Sequence, residues 1–76
     1  MRPVDLLPLV EELGRDLNRH PTATDLAEYL GEDPVASGRR IAPLVRAGLL
    51  WRERRGDQTV VRITDRGWAR LRGVAV

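Results

Sequence analysis

The chain has 76 residues, 42 % of them hydrophobic and 32 % charged, with no cysteine and one histidine. That length suits one domain, residues 1–76, with a small core, since such chains bury only about 60 % of their unfolded surface; the composition lies well away from the disordered class. Absent cysteine excludes disulfides, thiolate catalysis and most zinc sites, and one histidine cannot build a metal cluster, so no metal or cofactor is expected.

The apolar runs fall far short of the roughly 18 residues that span a bilayer, and no signal-peptide pattern precedes the first charged segment, so a cytoplasmic, membrane-free setting is expected. The net charge of +2 hides an asymmetry. Residues 1–38 hold three arginines against eight acids, giving −5, whereas residues 39–76 hold ten arginines against three acids, giving +7. An anionic partner for the second half is the natural inference. Every basic residue is arginine, which reflects a GC-rich genome as readily as a need for guanidinium forks.

In chain order, "DLLPLVEELGRDLNRHP" sets Leu6, Leu9, Val10, Leu13 and Leu17 on one stripe at helical spacing. This predicts helix 1, capped near Asp5, with Pro8 tolerated in the first turn and Pro21 ending the segment through its bias on His20. Leu7 falls off the stripe and reads as spare surface for a partner. In "TATDLAEYLGED", Thr22 is an N-cap, Asp25 completes a capping box, and Gly31 supplies the left-handed end, predicting helix 2 over 23–30. After a three-residue turn, Asp33 and Pro34 start helix 3, whose pattern runs through Ile41, Leu44 and Val45 to Ala47 before Gly48 stops it. Pro43 lies inside it and should cost about 3 kcal/mol unless a kink relieves it.

Beyond Gly48 the period becomes two: Leu50, Arg52 and Arg54 share one strand face, Trp51 and Glu53 the other. The return strand alternates Val61 and Ile63 against Val60 and Arg62, and Gly56 and Asp57 between the strands both tolerate the positive φ of a hairpin turn. Thr64 can cap a last short helix, "DRGWARLR", closed by Gly73. No repeat, low-complexity stretch or linker interrupts the chain.

Three helices, the last two joined by a tight turn, followed by a hairpin, give an α+β chain in the order of a winged helix-turn-helix: three-helix bundle, β-hairpin wing, short C-terminal helix. "TATDLAEYLG", "RRIAPLVRAGLL" and "VRITDRGWARL", together spanning residues 22–72, resemble the winged helix-turn-helix of MarR-type bacterial transcriptional regulators, and more loosely the ArsR type. The spacing of 17 from Gly31 to Gly48 also matches. The resemblance implies double-stranded DNA as partner. Helix 3 would enter the major groove with Val35, Ala36, Arg39 and Arg40, and the wing would reach the backbone with Arg54, Arg55 and Arg62. It implies a homodimer too, here through helix 1 or the tail "GVAV"; without the family's extra terminal helices, no small-molecule effector is expected. The sequence departs from the family pattern at Glu32 and Asp33, acids in the turn, and at Ser37, a polar residue at an apolar core position. Asp33 is accounted for as an N-cap worth roughly 1 kcal/mol; Glu32 has no such role in the sequence.

Several residues admit two readings. Arg39 and Arg40 belong either to guanine readout and phosphate contact or to a solvated helix face. The cluster of Arg52, Arg54, Arg55 and Arg62 supplies either a non-specific positive field or edge-strand protection. Arg55-Gly56-Asp57 as an adhesion ligand would require secretion. His20 reads as a loop residue and Trp68 as core; Trp51, out of phase with Leu50, is a candidate partner anchor. Adjacent acids such as Glu11 and Glu12 point apart on a helix, and no nucleophile, phosphate-loop or metal motif occurs, so no enzyme is expected. The rival to DNA binding is a winged-helix protein-interaction module using Trp51 and the acidic first half.

Overall fold

The computed structural model describes residues 5–73. Helix α1 (Leu6–Leu17) is followed by α2 (Ala23–Leu30), α3 (Pro34–Arg46), β1 (Leu50–Arg55), β2 (Gln58–Ile63) and α4 (Asp65–Leu71). This is a generic winged-helix topology, with an antiparallel hairpin laid beside a three-helix unit and a short closing helix.

Each helix begins on the side chain that the sequence nominates. Asp5 accepts from the Leu7 amide, Thr22 and Asp25 form a reciprocal capping box, Asp33 accepts from the Ala36 amide, and Thr64 accepts from the Gly67 amide. These bonds satisfy donors that have no partner within the helix. Helix α1 stops at Asn18, not at Pro21: Asn18 takes the left-handed conformation at φ 55° and donates to the Arg15 and Gly14 carbonyls. The loop that this frees crosses to the hairpin, where the Val61 amide donates to the Pro21 carbonyl at 2.8 Å and Thr22 bridges to Val60. A stub of third strand thus forms where the sequence signals only a proline and a cap. Helix α3 runs unbroken through Pro43, which is exposed, so the Arg39 carbonyl deprived of its amide partner can bond to water.

The core gathers Leu6, Leu9 and Val10 of α1, Leu26 of α2, Ile41 of α3, and Leu50 and Val61 of the hairpin. Three expectations need correction. Leu7 is 4 % exposed and belongs to the core, so it offers no partner surface. α1 is packed from three sides, by α2, β2 and α4, and the buried arc is therefore wider than one stripe. Trp68, expected in the core, is 40 % exposed. Leu17, in the last turn of α1, also ends at the surface. The hairpin turn uses positive φ only at Gly56 (62°), with Asp57 in an ordinary conformation, which is the type II′ pattern for a two-residue loop.

At the hairpin base, the Thr64 hydroxyl donates to the Gly48 carbonyl at 2.5 Å while it caps α4, and the Thr64 amide donates to the Leu49 carbonyl at 3.2 Å. Gly67 is buried there, and a Cβ on it would collide with the Leu49 carbonyl and the Ile63 side chain. Gly38, in the middle of α3, has open space around it. Gly67→Ala should therefore lose about 1–3 kcal/mol through overpacking, and Gly38→Ala should gain about 0.4–1 kcal/mol through a stiffer unfolded chain. Urea unfolding of the two variants checks the opposite signs.

Candidate nucleic-acid interface

The strand register decides which arginines meet α3. Leu50 pairs with Ile63, Arg52 with Val61, and Arg54 with Thr59, so these six side chains share one face. Trp51 with Arg62, Glu53 with Val60, and Arg55 with Gln58 occupy the opposite face. Because Leu50 and Val61 are buried, the first face is the inner one, and beyond its apolar base it continues as Arg52 and Arg54. A groove of about 560 Å³ lies here, bounded by Pro34, Val35 and Gly38 of α3 and by Arg52, Arg54, Thr59 and the acidic Asp57 of the hairpin.

On α3, Ser37 and Ile41 are buried, which turns Val35, Arg39, Pro43 and Arg46 to the surface. Val35 is 66 % exposed. Ala36 is half-buried beside it. Of the residues that the sequence nominates, Val35 and Arg54 line the groove, and Arg39 stands on the exposed side of the same helix. Arg55 and Arg62 are elsewhere, on the outer hairpin face. Arg52 lines the groove although it is not among the residues that the resemblance indicates; its two-residue spacing from Leu50 and Arg54 is the signal that places it there.

Arg40 is engaged locally. Its Nε lies 2.8 Å and 3.1 Å from the two carboxylate oxygens of Glu32, and the buried Ser37 hydroxyl donates to the same carboxylate at 2.8 Å. Glu32 and Ser37, two of the three departures noted in the sequence, thus satisfy one another. The Ser37 hydroxyl, then Arg40, hold the Glu32 carboxyl below its ordinary range, against the opposing effect of desolvation and of Asp33. Asp33 is spent on its own helix terminus. A second carboxylate is held down in the same way: Arg19 grips Asp25 at 2.8 Å and 3.2 Å, the Thr22 amide and hydroxyl add bonds, and the Asp25 carboxyl is lowered, most by Arg19.

Arg55 lies 3.4 Å from Glu53, and Arg54 donates from Nε to the Gly56 carbonyl at 3.2 Å. Arg39, Arg52 and Arg62 make no ion pair among the described residues. Among those residues no group of three or more His, Cys, Asp or Glu could hold a metal ion, and no helix is long and apolar enough to cross a membrane.

No family model, curated protein or solved structure matches this chain. The winged-helix assignment therefore stands on the topology itself, which is generic and singles out neither the MarR nor the ArsR type.

The two depressed carboxyls set an acid limit. Unfolded Asp and Glu titrate near pH 3.9 and 4.3. Stability from pairs whose folded pKa lies below those values is fully present above about pH 5 and is lost as the pH falls through the folded pKa. A melting-temperature series from pH 7 to pH 2 should accordingly show a loss beginning near pH 4. The gap between wild type and Asp25→Asn, open at pH 7, should close at the acid end. Glu32→Gln should behave in the same sense.

Proposed function

We propose that this chain is a double-stranded-DNA-binding protein of the transcription-regulator type, with α3 in the major groove and the Arg-rich hairpin on the backbone. The observation that carries the reading is the shared groove: the exposed N-terminal half of α3 forms one wall, and the inner hairpin face with Arg52 and Arg54 forms the other. Arg52, Arg54 and Arg62, which make no ion pair among the described residues, give a positive field that attracts phosphate irrespective of sequence. In this reading the exposed Arg39 offers its guanidinium fork to a guanine edge or a phosphate, and Val35 and Ala36 can offer only apolar contact to a thymine methyl. With so few hydrogen-bonding groups on the exposed side of α3, recognition is weighted towards the backbone and sequence discrimination is modest.

The MarR-like use of helix and wing belongs to this proposal, as do a cytoplasmic setting, a non-enzymatic role and a homodimer on a two-fold site. Leu7 cannot supply the dimer contact because it is buried. Val74–Val76 of the proposed tail contact lie outside the described residues, leaving the outer side of α1 as the described candidate. Glu32 tempers the interface, since it spends part of Arg40 and sets a carboxylate in the helix-turn-helix turn.

An NMR titration with a short generic duplex tests the reading. At low salt the amides of residues 35–40 and 54–58 should shift; amides that stay still would sink it. Affinity should fall steeply between about 50 and 200 mM salt, and Arg39→Ala, Arg52→Ala and Arg54→Ala should each reduce the log–log salt slope by about 1 for every phosphate that is no longer neutralised. Glu32→Gln should tighten binding severalfold. Affinity insensitive to salt would point instead to the protein-interaction module.

A further inference from the structure

The outer face of the hairpin is a second basic surface, separate from the groove against α3. Trp51 is 54 % exposed there, with Arg62 directly across the strand pair, and such cross-strand partners have Cβ atoms about 4.5–5.5 Å apart. A groove of about 440 Å³ on the same side is lined by Arg19, His20, Arg55, Gln58, Val60 and Arg62. Arg19 and His20 come from the loop after α1, held against β2 by the Pro21–Val61 hydrogen bond and the Thr22–Val60 bridge. Three guanidiniums and an imidazole therefore converge, and among the described residues no carboxylate lines the groove itself. Two of these guanidiniums are partly neutralised, Arg19 by Asp25 through both terminal nitrogens and Arg55 by Glu53 through Nε, which leaves Arg62 and the terminal nitrogens of Arg55 available.

These neighbours bear on what Trp51 can bind. A tryptophan that anchors a protein interface works inside a collar of contacts that excludes water. Trp51 instead has a cation as its cross-strand neighbour, with Glu53 and Arg55 following along its own strand face. A flat indole beside the Arg62 guanidinium, with Arg62 also lining the groove, matches a stacked base followed by its phosphates. A duplex hides its base faces; a single strand presents them.

We propose that the outer hairpin face binds single-stranded nucleic acid, with one base stacked on Trp51 and the backbone running along Arg62 and Arg55. This site uses none of the α3 residues and goes beyond the duplex-binding reading.

The chain has two tryptophans, so Trp68→Phe leaves Trp51 as the sole indole reporter. Its fluorescence is titrated at low salt with a homopyrimidine single strand of about 12 nucleotides, a length within the range of single-strand sites, and with a blunt duplex of equal length. Saturable quenching by the single strand is expected. Binding of the same strand, followed by its own fluorescent label, should weaken at least fivefold in Trp51→Ala and at least threefold in Arg62→Ala, and should be unchanged in Arg39→Ala. Both weakened positions are exposed, and circular dichroism checks that the variants remain folded.

Absence of quenching, or affinity that Trp51→Ala leaves intact, overturns the proposal. So does displacement of the single strand by the duplex at equimolar sites, which would mean that one surface serves both. Trp51 emission that shifts with protein concentration alone, and not with single strand, assigns the face to a protein contact and overturns it as well. Loss of duplex binding in Arg39→Ala with single-strand binding retained separates this site from the α3 groove.

Discussion

The complete burial of Val61, with its amide donated to the Pro21 carbonyl, is the constraint on which the rest of the molecule turns. A β-strand alternates its side chains between two faces, so burying one residue assigns every other residue on the hairpin. With Val61 inward, Arg52 and Arg54 face α3, while Trp51, Arg55 and Arg62 face away. A slip of one residue would exchange the two sets and expose Leu50 and Val61. The Thr64 hydroxyl on the Gly48 carbonyl and the close approach of Gly67 to Leu49 pin the base of the hairpin and guard this register.

The turn between α2 and α3 shows how a residue that looks misplaced can be required. Glu32 puts a negative charge where a phosphate-binding surface would exclude one, and Ser37 puts a hydroxyl in the core. Buried hydroxyls need partners, and a carboxylate is stabilised by donors. The two side chains meet at 2.8 Å and draw in Arg40. Any nucleic acid on α3 thus meets an arginine already shared with an acid, and the unpaired Arg39, Arg52 and Arg54 carry more of the positive field than Arg40.

The functional consequence is a hairpin with two chemically different sides. One faces a helix across a groove whose far wall is small and apolar, which suits the regular surface of a duplex. The other sets the exposed Trp51 ring across from Arg62, which also lines the outer groove, and the proposed single-strand site rests on that pairing. Both readings draw on the positive second half of the chain, and they are separable because they rest on opposite strand faces.

Much of the fold was legible from local rules. Helix caps at Thr22, Asp33 and Thr64, left-handed ends at Gly31, Gly48 and Gly73, and the change of period after Gly48 are signals confined to a few consecutive residues, and each helix N-cap and strand face follows them. The acidic first half and the basic second half, and the spacing of Arg52 and Arg54, were likewise legible. What escaped was what depends on distance along the chain. The burial of Leu7 and the exposure of Trp68 depend on how remote elements pack on α1 and α4, which no window of either helix contains. The approach of Arg19 and His20 to Arg55 and Arg62 joins opposite halves of the chain through one backbone hydrogen bond and a bridge. The assignment of the hairpin arginines to an inner and an outer face followed only when the core took Val61 as its inward residue. The sequence by itself determined the elements and the two possible strand faces, because propensity, capping and side-chain period are local. Which face meets α3, and which residues from the first half join the other, was decided by tertiary packing, because only the shared core couples segments that are remote in the chain.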